Sequence, residues 1–302
     1  MRPEDYLSLG GREAERCPLC ADEGLEVILG ESGPVKIVRG ASVLVKDADL
    51  GRKGCGMYDR MNPVGSYEII IENTGHDTPA EEMGPDYFKR VLDIYVERLA
   101  ELIKDPGVRY VFIYKNSGRA AGAVTAHPHS ELLATPVIPG TVKYELDGAK
   151  EYFSYKERCV FCDILAEEER AGQRIIASTE HFTAFCPYAS RMPFEFWIMP
   201  KVHSCSFEEI TGAELQDLAS LMPSLVLKMR KALGDPPYNY YIHTAPNRIP
   251  RRNHWHTLGD DFHWHIEVLP VLSRPTAIDW GSGFHILTTS PEDAAKYIKE
   301  AQ

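Results

Sequence analysis

Two cysteine pairs and two histidine segments carry the chemistry of this chain. Cys17-Pro-Leu-Cys20 and Cys159-Val-Phe-Cys162 are C-x-x-C pairs, and His127-Pro-His129-Ser-Glu131 and His263-Trp-His265-Ile-Glu267 share the pattern H-x-H-x-E. A C-x-x-C turn brings two thiolates to the spacing of a tetrahedral zinc site, whereas a redox dithiol normally occurs once, between a strand and a helix. Two histidines in each half complete a Cys2His2 donor set. A neutral imidazole is also a nucleophile near pH 7 and needs no separate base. The two histidines of each H-x-H are expected to point apart, one to a metal and one to a pocket, with His127 and His129 assignable either way. In the second half, the reading in which both only satisfy metal or core contacts is preferred.

These residues recur in order. C-x-x-C, an apolar run, a histidine and H-x-H-x-E occur twice, with Tyr67–Ile71 and His76 in the first copy and Phe196–Met199 and His203 in the second. The offsets are 142 residues from Cys17 to Cys159, 127 from His76 to His203 and 136 from His127 to His263. We read a duplicated unit of about 140 residues, the size of one domain, divided as 1–140 and 141–302. Each copy holds both kinds of element. Phe88, Val91, Leu92, Tyr95, Leu99 and Leu102 lie at helical spacing within 85–104, and Leu215, Leu218, Leu221, Leu225 and Met229 do so within 213–233. Tyr110–Tyr114 and Tyr238–Ile242 read as matching strands. Residues 140–158 read as the connection between the halves, and 246–253, with Arg248, Arg251 and Arg252, as a loop that is either solvated or steers phosphate.

Composition sets the class. The 302 residues are 44% hydrophobic and 25% charged, which excludes a disordered or fibrous chain. With 33 basic against 44 acidic side chains the net charge is −11, which argues against a nucleic-acid polymer as partner. No apolar run is long enough for a membrane span, and Met1–Asp5 do not open a signal peptide. Seven cysteines, an odd number, argue against a disulfide framework. A cytoplasmic protein is expected.

The segment Ala121-Gly122-Ala123 followed by His127-Pro-His129-Ser-Glu131 resembles the active-site segment of the galactose-1-phosphate uridylyltransferases, the nucleotidyltransferase branch of the histidine-triad superfamily. Gly56–Asn62 with Glu68–Glu72 and His76-Asp77, Pro200–His203, Phe262–Glu267, Trp280–Phe284 and Pro291–Ala295 are similar to further stretches of that family, so the likeness covers nearly the whole chain. It implies an α+β fold of two tandem, pseudo-symmetric histidine-triad-like halves, each an antiparallel sheet with packed helices. It also implies ping-pong transfer of a nucleoside monophosphate between a nucleoside diphosphate sugar and a sugar 1-phosphate. By resemblance His129 is the nucleophile, and Lys115, Asn116, Gly122 and Ser130 belong to the phosphate side. One or two structural zinc ions are implied, the first held by Cys17, Cys20, His76 and His127, the second by Cys159, Cys162, His203 and His263. His254, His256 and His265 compete for the fourth place of the second site. A homodimer is also implied.

The chain departs from the family at Glu131, where a glutamine is usual, and at Val124, where many members have serine. An ionised carboxylate accepts hydrogen bonds and donates none. Glu131 therefore serves catalysis as a donor only if it is protonated, or turns away while Lys115 or Arg119 replaces its function. The segment ahead of the cysteines is short, and Val38–Ser42 lacks the family's Pro-Asn-Lys. Three functions fit: the sugar 1-phosphate nucleotidyltransferase, a phosphorylase or hydrolase of nucleotide sugars or dinucleoside polyphosphates, and a zinc-stabilised nucleotide-binding protein with weakened turnover.

Overall fold

The computed structural model describes residues 17–21, 25–30, 33–40, 42, 44–46, 48–250, 255–274 and 276–301. Met1–Asp5, Arg251, Arg252 and His254, on which readings above depend, lie outside this set. A short helix α1 (Pro18–Ala21) carries the first cysteine pair and leads into strands β1 (Val27–Leu29) and β2 (Lys36–Arg39). A small separate hairpin, β3 (Lys53–Cys55) and β4 (Tyr58–Arg60), precedes β5 (Ser66–Ile71). Helix α2 (Pro85–Leu102), β6 (Tyr110–Ser117) and β7 (His129–Thr135) complete the first copy.

The expected connection is itself a helix, α3 (Gly140–Lys156), followed by α4 (Val160–Ala171), which opens at the second cysteine pair. Strands β8 (Ile175–Ser178), β9 (Phe182–Phe185) and β10 (Phe196–Pro200) precede helix α5 (Gly212–Leu233). Then come β11 (Tyr238–His243), a short helix α6 (Leu258–Asp261), β12 (His265–Pro270), α7 (Ala277–Ser282) and α8 (Pro291–Glu300). The apolar stripes read at helical spacing begin where local chemistry starts a helix. α2 starts with Pro85 in its first turn, where no amide hydrogen is needed, and α5 starts on a capping box between Thr211 and Glu214.

Ten strands form one sheet in the order β1-β2-β5-β7-β6-β11-β12-β10-β9-β8, with every neighbouring pair antiparallel. The two copies meet at β6 and β11, where Tyr114 is the register partner of Tyr241. A pseudo-twofold axis passes between these tyrosines. One row across the sheet runs Ile69, Glu131, Tyr114, Tyr241, Glu267, Trp197, so both H-x-H-x-E glutamates lie beside the axis tyrosine of their own half.

Helices α2 and α5 pack together over one face of the sheet. Phe88, Val91, Leu92, Tyr95 and Leu99 of α2 share a core with Leu218, Met222, Leu225 and Met229 of α5 and with Ile113, Leu132, Ile242 and Ile266 of the central strands. The other face is covered over the second copy by α3 and α4, through Val142, Leu146, Ala149, Phe161 and Leu165 against Tyr110, Phe185 and Met199. Symmetry of the strands thus coexists with asymmetry of their cover.

Candidate active site

The structure gathers Cys17, Cys20, His76 and His127 in one place and Cys159, Cys162, His203 and His263 in another, the donor atoms of each set within 4.8 Å of one another. His127 Nε2 meets the Asn73 carbonyl at 2.7 Å and His203 Nε2 meets that of Gly259 at 2.9 Å. A carbonyl only accepts, so the proton sits on Nε2 and the Nδ1 lone pair faces the thiols. Cys20 Sγ lies 3.2 Å from both His76 Nδ1 and His127 Nδ1, and Cys162 Sγ 3.2 Å from His203 Nδ1. This is the outer-shell pattern of metal-bound imidazoles. Burial pushes His127 and His263 below the ordinary imidazole range, toward the neutral form that a ligand requires. Cys159 is lowered to about 3 by the Cys162 thiol, then His203 and His263, against the opposing effect of burial. Two cysteine sulfurs and two imidazoles at this separation fit a tetrahedral zinc ion.

His129 does part company from His127, though not through strand alternation. Residues two apart on a strand face the same way. The strand instead begins at His129, which leaves His127 in the preceding segment, and β12 likewise begins at His265 after His263. His129 Nδ1 lies 2.6 Å from the His127 carbonyl and must donate to it. The lone pair is therefore on Nε2, which is buried and without a hydrogen-bond partner among the described residues.

Glu131 stays on the face of His129. Its carboxylate accepts from Tyr67 Oη at 2.5 Å, Tyr114 Oη at 2.9 Å and Asn116 Nδ2 at 2.9 Å. Both phenols are held above their ordinary pKa, first by burial and then by the Glu131 charge, so both remain donors. Asn239, the register partner of Asn116 across the pseudo-axis, donates to Asn116 Oδ1 at 2.6 Å and to the Ala121 carbonyl at 2.8 Å. The second copy thereby fixes the β6–β7 loop of the first. That loop turns on Gly122 at φ 99°, a left-handed conformation that favours glycine. Tyr67, Tyr114 and Asn239 carried no motif in the sequence. Only the strand register reveals them.

Two residues expected on the phosphate side lie elsewhere. Alternation along β6 and β7 turns Lys115 and Ser130 to the opposite face from Glu131, against α2. Lys115 Nζ is buried between Glu72 Oε2 at 2.6 Å and Glu81 Oε1 at 2.7 Å, and Ser130 Oγ lies 2.6 Å from Tyr95 Oη. Neither is placed to meet a phosphate at His129, and Lys115 does not replace an amide at position 131.

The matching place in the second copy is filled. His265 Nε2 lies 3.2 Å from Glu145 and 3.3 Å from Glu267, and His243 Nδ1 2.7 Å from Glu145. Arg191 pairs with Glu195 and Glu267, and Tyr241 donates to Glu267 at 2.5 Å. Burial lowers the pKa of His265, but Glu145 and Glu267 outweigh it, and the imidazole is held above its ordinary value. Its Nδ1 faces the His263 carbonyl at 3.1 Å, so both ring nitrogens of His265 have partners. His265 thus joins the carboxylates rather than the second cysteine group, and its ring nitrogens are engaged where Nε2 of His129 is not. Glu145, His243 and Arg191 were not singled out from the sequence, because α3 was read as a connection and the other two lie outside the repeated motif.

Residues 45–139 match the pattern of the galactose-1-phosphate uridyl transferase N-terminal domain and residues 145–301 that of its C-terminal domain. The chain belongs to the galactose-1-phosphate uridyl transferase family. It is 34% identical to ADP-glucose phosphorylase of Arabidopsis thaliana over 78% of its own length, and spans 64% of that relative. It is 26% identical to galactose-1-phosphate uridylyltransferase of Thermotoga maritima, over 95% of this chain and 89% of the relative. The crystal structure of the Arabidopsis thaliana ADP-glucose phosphorylase with bound ADP-glucose superposes with a TM-score of 0.82 at 27% identity, covering 98% of this chain and 94% of that one.

Proposed function

We propose that this chain is a nucleotidyltransferase that takes a nucleoside monophosphate from a nucleoside diphosphate sugar onto His129 and delivers it to a sugar 1-phosphate. The observation that carries the reading is the free Nε2 lone pair of His129, fixed by the Nδ1 hydrogen bond to His127. In the first step Nε2 attacks the α-phosphorus. The Nε2–P bond forms, the bond from phosphorus to the bridging oxygen breaks, and sugar 1-phosphate leaves with that electron pair. The imidazolium that forms keeps its Nδ1 proton on the His127 carbonyl, which spreads the positive charge without a proton transfer. The acceptor phosphate oxygen then attacks phosphorus and returns the lone pair to Nε2.

Glu131 does not donate to the phosphate in this scheme. It orders Tyr67, Tyr114 and Asn116 around the site. Zinc held by Cys17, Cys20, His76 and His127, and by Cys159, Cys162, His203 and His263, supplies structure only, anchoring the segments ahead of β7 and β12. Among the described residues no helix is long and apolar enough to cross a membrane. All seven cysteines are free, which supports a reducing compartment, the cytoplasm. Similarity to the Arabidopsis thaliana phosphorylase favours a second reading, with inorganic phosphate as acceptor.

Intact-protein mass spectrometry after incubation with ADP-glucose and, separately, UDP-glucose tests the scheme. The expected result is a gain of one nucleoside monophosphate that His129→Ala abolishes. Adding glucose 1-phosphate or inorganic phosphate to the isolated adduct then identifies the acceptor. Turnover without any adduct sinks the covalent mechanism.

A further inference from the structure

Behind His129, on the helix side of the sheet, lies a polar cluster that the transfer chemistry does not use. Glu72, Glu81 and Lys115 are almost completely buried, with Lys115 Nζ bridging the two carboxylates. The second oxygen of Glu72 lies 3.2 Å from Tyr95 Oη, which lies 2.6 Å from Ser130 Oγ and 2.8 Å from Tyr240 Oη. The backbone amide of Glu72 donates to the Pro128 carbonyl at 3.1 Å. Pro128 and Ser130 are the two neighbours of His129, and both are therefore tied to the same residue. The next residue, Asn73, takes the Nε2 proton of His127.

A buried ion cluster is a weak source of stability, since apolar residues of similar volume often serve as well. Its place argues for geometry. His129 is the register partner of Ile71 at the end of the β5–β7 pairing, and its two neighbours are held as well. Pro128 is held by the Glu72 main-chain amide, and Ser130, by way of Tyr95, by the Glu72 carboxylate that Lys115 in turn fixes.

We propose that Glu72, braced by Lys115, is the positioning residue for His129, acting through the Pro128 carbonyl and, by way of Tyr95, through Ser130. The inference rests on His129 being the nucleophile. Misplacing a reacting atom by about 1 Å can cost on the order of 100-fold in rate. The step affected is adduct formation, not capture of the donor, because none of these groups faces the side of the strand on which His129 lies.

The test measures the rate of adduct formation by rapid quench and intact mass, at a series of ADP-glucose or UDP-glucose concentrations. The variants are Glu72→Gln, Tyr95→Phe and Ser130→Ala, each with its melting temperature. The limiting rate is expected to fall about tenfold or more in Glu72→Gln and by a smaller factor in the other two, while the concentration for half-saturation stays within about twofold. If Glu72→Gln does not fold, the two hydroxyl deletions decide. An adduct on the wild type at a rate that folded variants match overturns the positioning role alone, as does a change confined to half-saturation. A wild type that forms no adduct overturns the covalent reading and this assignment with it.

Discussion

Glu131 stands where the resemblance leads one to expect a glutamine, and its surroundings suit a carboxylate. Three donors converge on its two oxygens. A glutamine there has one acceptor oxygen for the two tyrosines and presents its own NH2 to the Asn116 NH2. Turning Asn116 over moves the conflict to Asn239, whose NH2 now meets the Asn116 oxygen. Glu131→Gln is therefore expected to destabilise the protein by about 1–3 kcal/mol, the cost of an unsatisfied buried donor. It should also slow adduct formation, measured by urea unfolding and by the mass assay. A faster and equally stable variant would mean that the carboxylate damages the site. At this scale the sequence was legible for groups that announce themselves by type and spacing, such as His129 and the eight cysteine and histidine donors. It was not legible for Tyr67, Tyr114 and Asn239, which become partners of Glu131 only through register, nor for the side on which Lys115 and Ser130 fall.

Between residues and the whole stand the elements that the two Cys2His2 groups join. The first ties α1 to the segments after β5 and before β7, and the second ties the start of α4 to those after β10 and before β12. The groups differ in access. Cys20 is exposed and His76 only half-buried, whereas Cys159 and His263 are buried. A chelator should accordingly withdraw zinc in two phases, the first from the Cys17 group. Cys20→Ser should lower the zinc content by about one ion per chain and remove the fast phase, with a Cys2His2 set reduced to three strong ligands. Elemental analysis before and after chelation checks this, and a fast phase that survives in Cys20→Ser would reassign the labile metal. The helices and central strands were readable because their apolar spacing matches the faces they bury. α3 was not, since its stripe of Val142, Leu146 and Ala149 is short and sits among charges and two glycines.

Duplication in a chain of this length suggests two units that fold apart, and proteins beyond about 150 residues often unfold in steps. The sheet argues otherwise. β6 and β11 pair over five residue positions from Ile113–Ile242 to Ser117–Tyr238, and a single core on the α2–α5 face draws on both copies. Asn239 also holds a loop of the opposite copy. We expect one cooperative transition. All four tryptophans, Trp197, Trp255, Trp264 and Trp280, belong to the second copy, so their fluorescence reports that copy while far-ultraviolet circular dichroism reports both. The two signals should coincide through urea or heat in the zinc-loaded protein. Ile242→Ala, at the buried end of the pairing opposite Ile113, should lower stability by about 2–5 kcal/mol without separating them. A circular dichroism change that precedes the fluorescence change would mean that the first copy melts alone. The H-x-H strand would then owe its geometry to its own metal group rather than to the shared sheet.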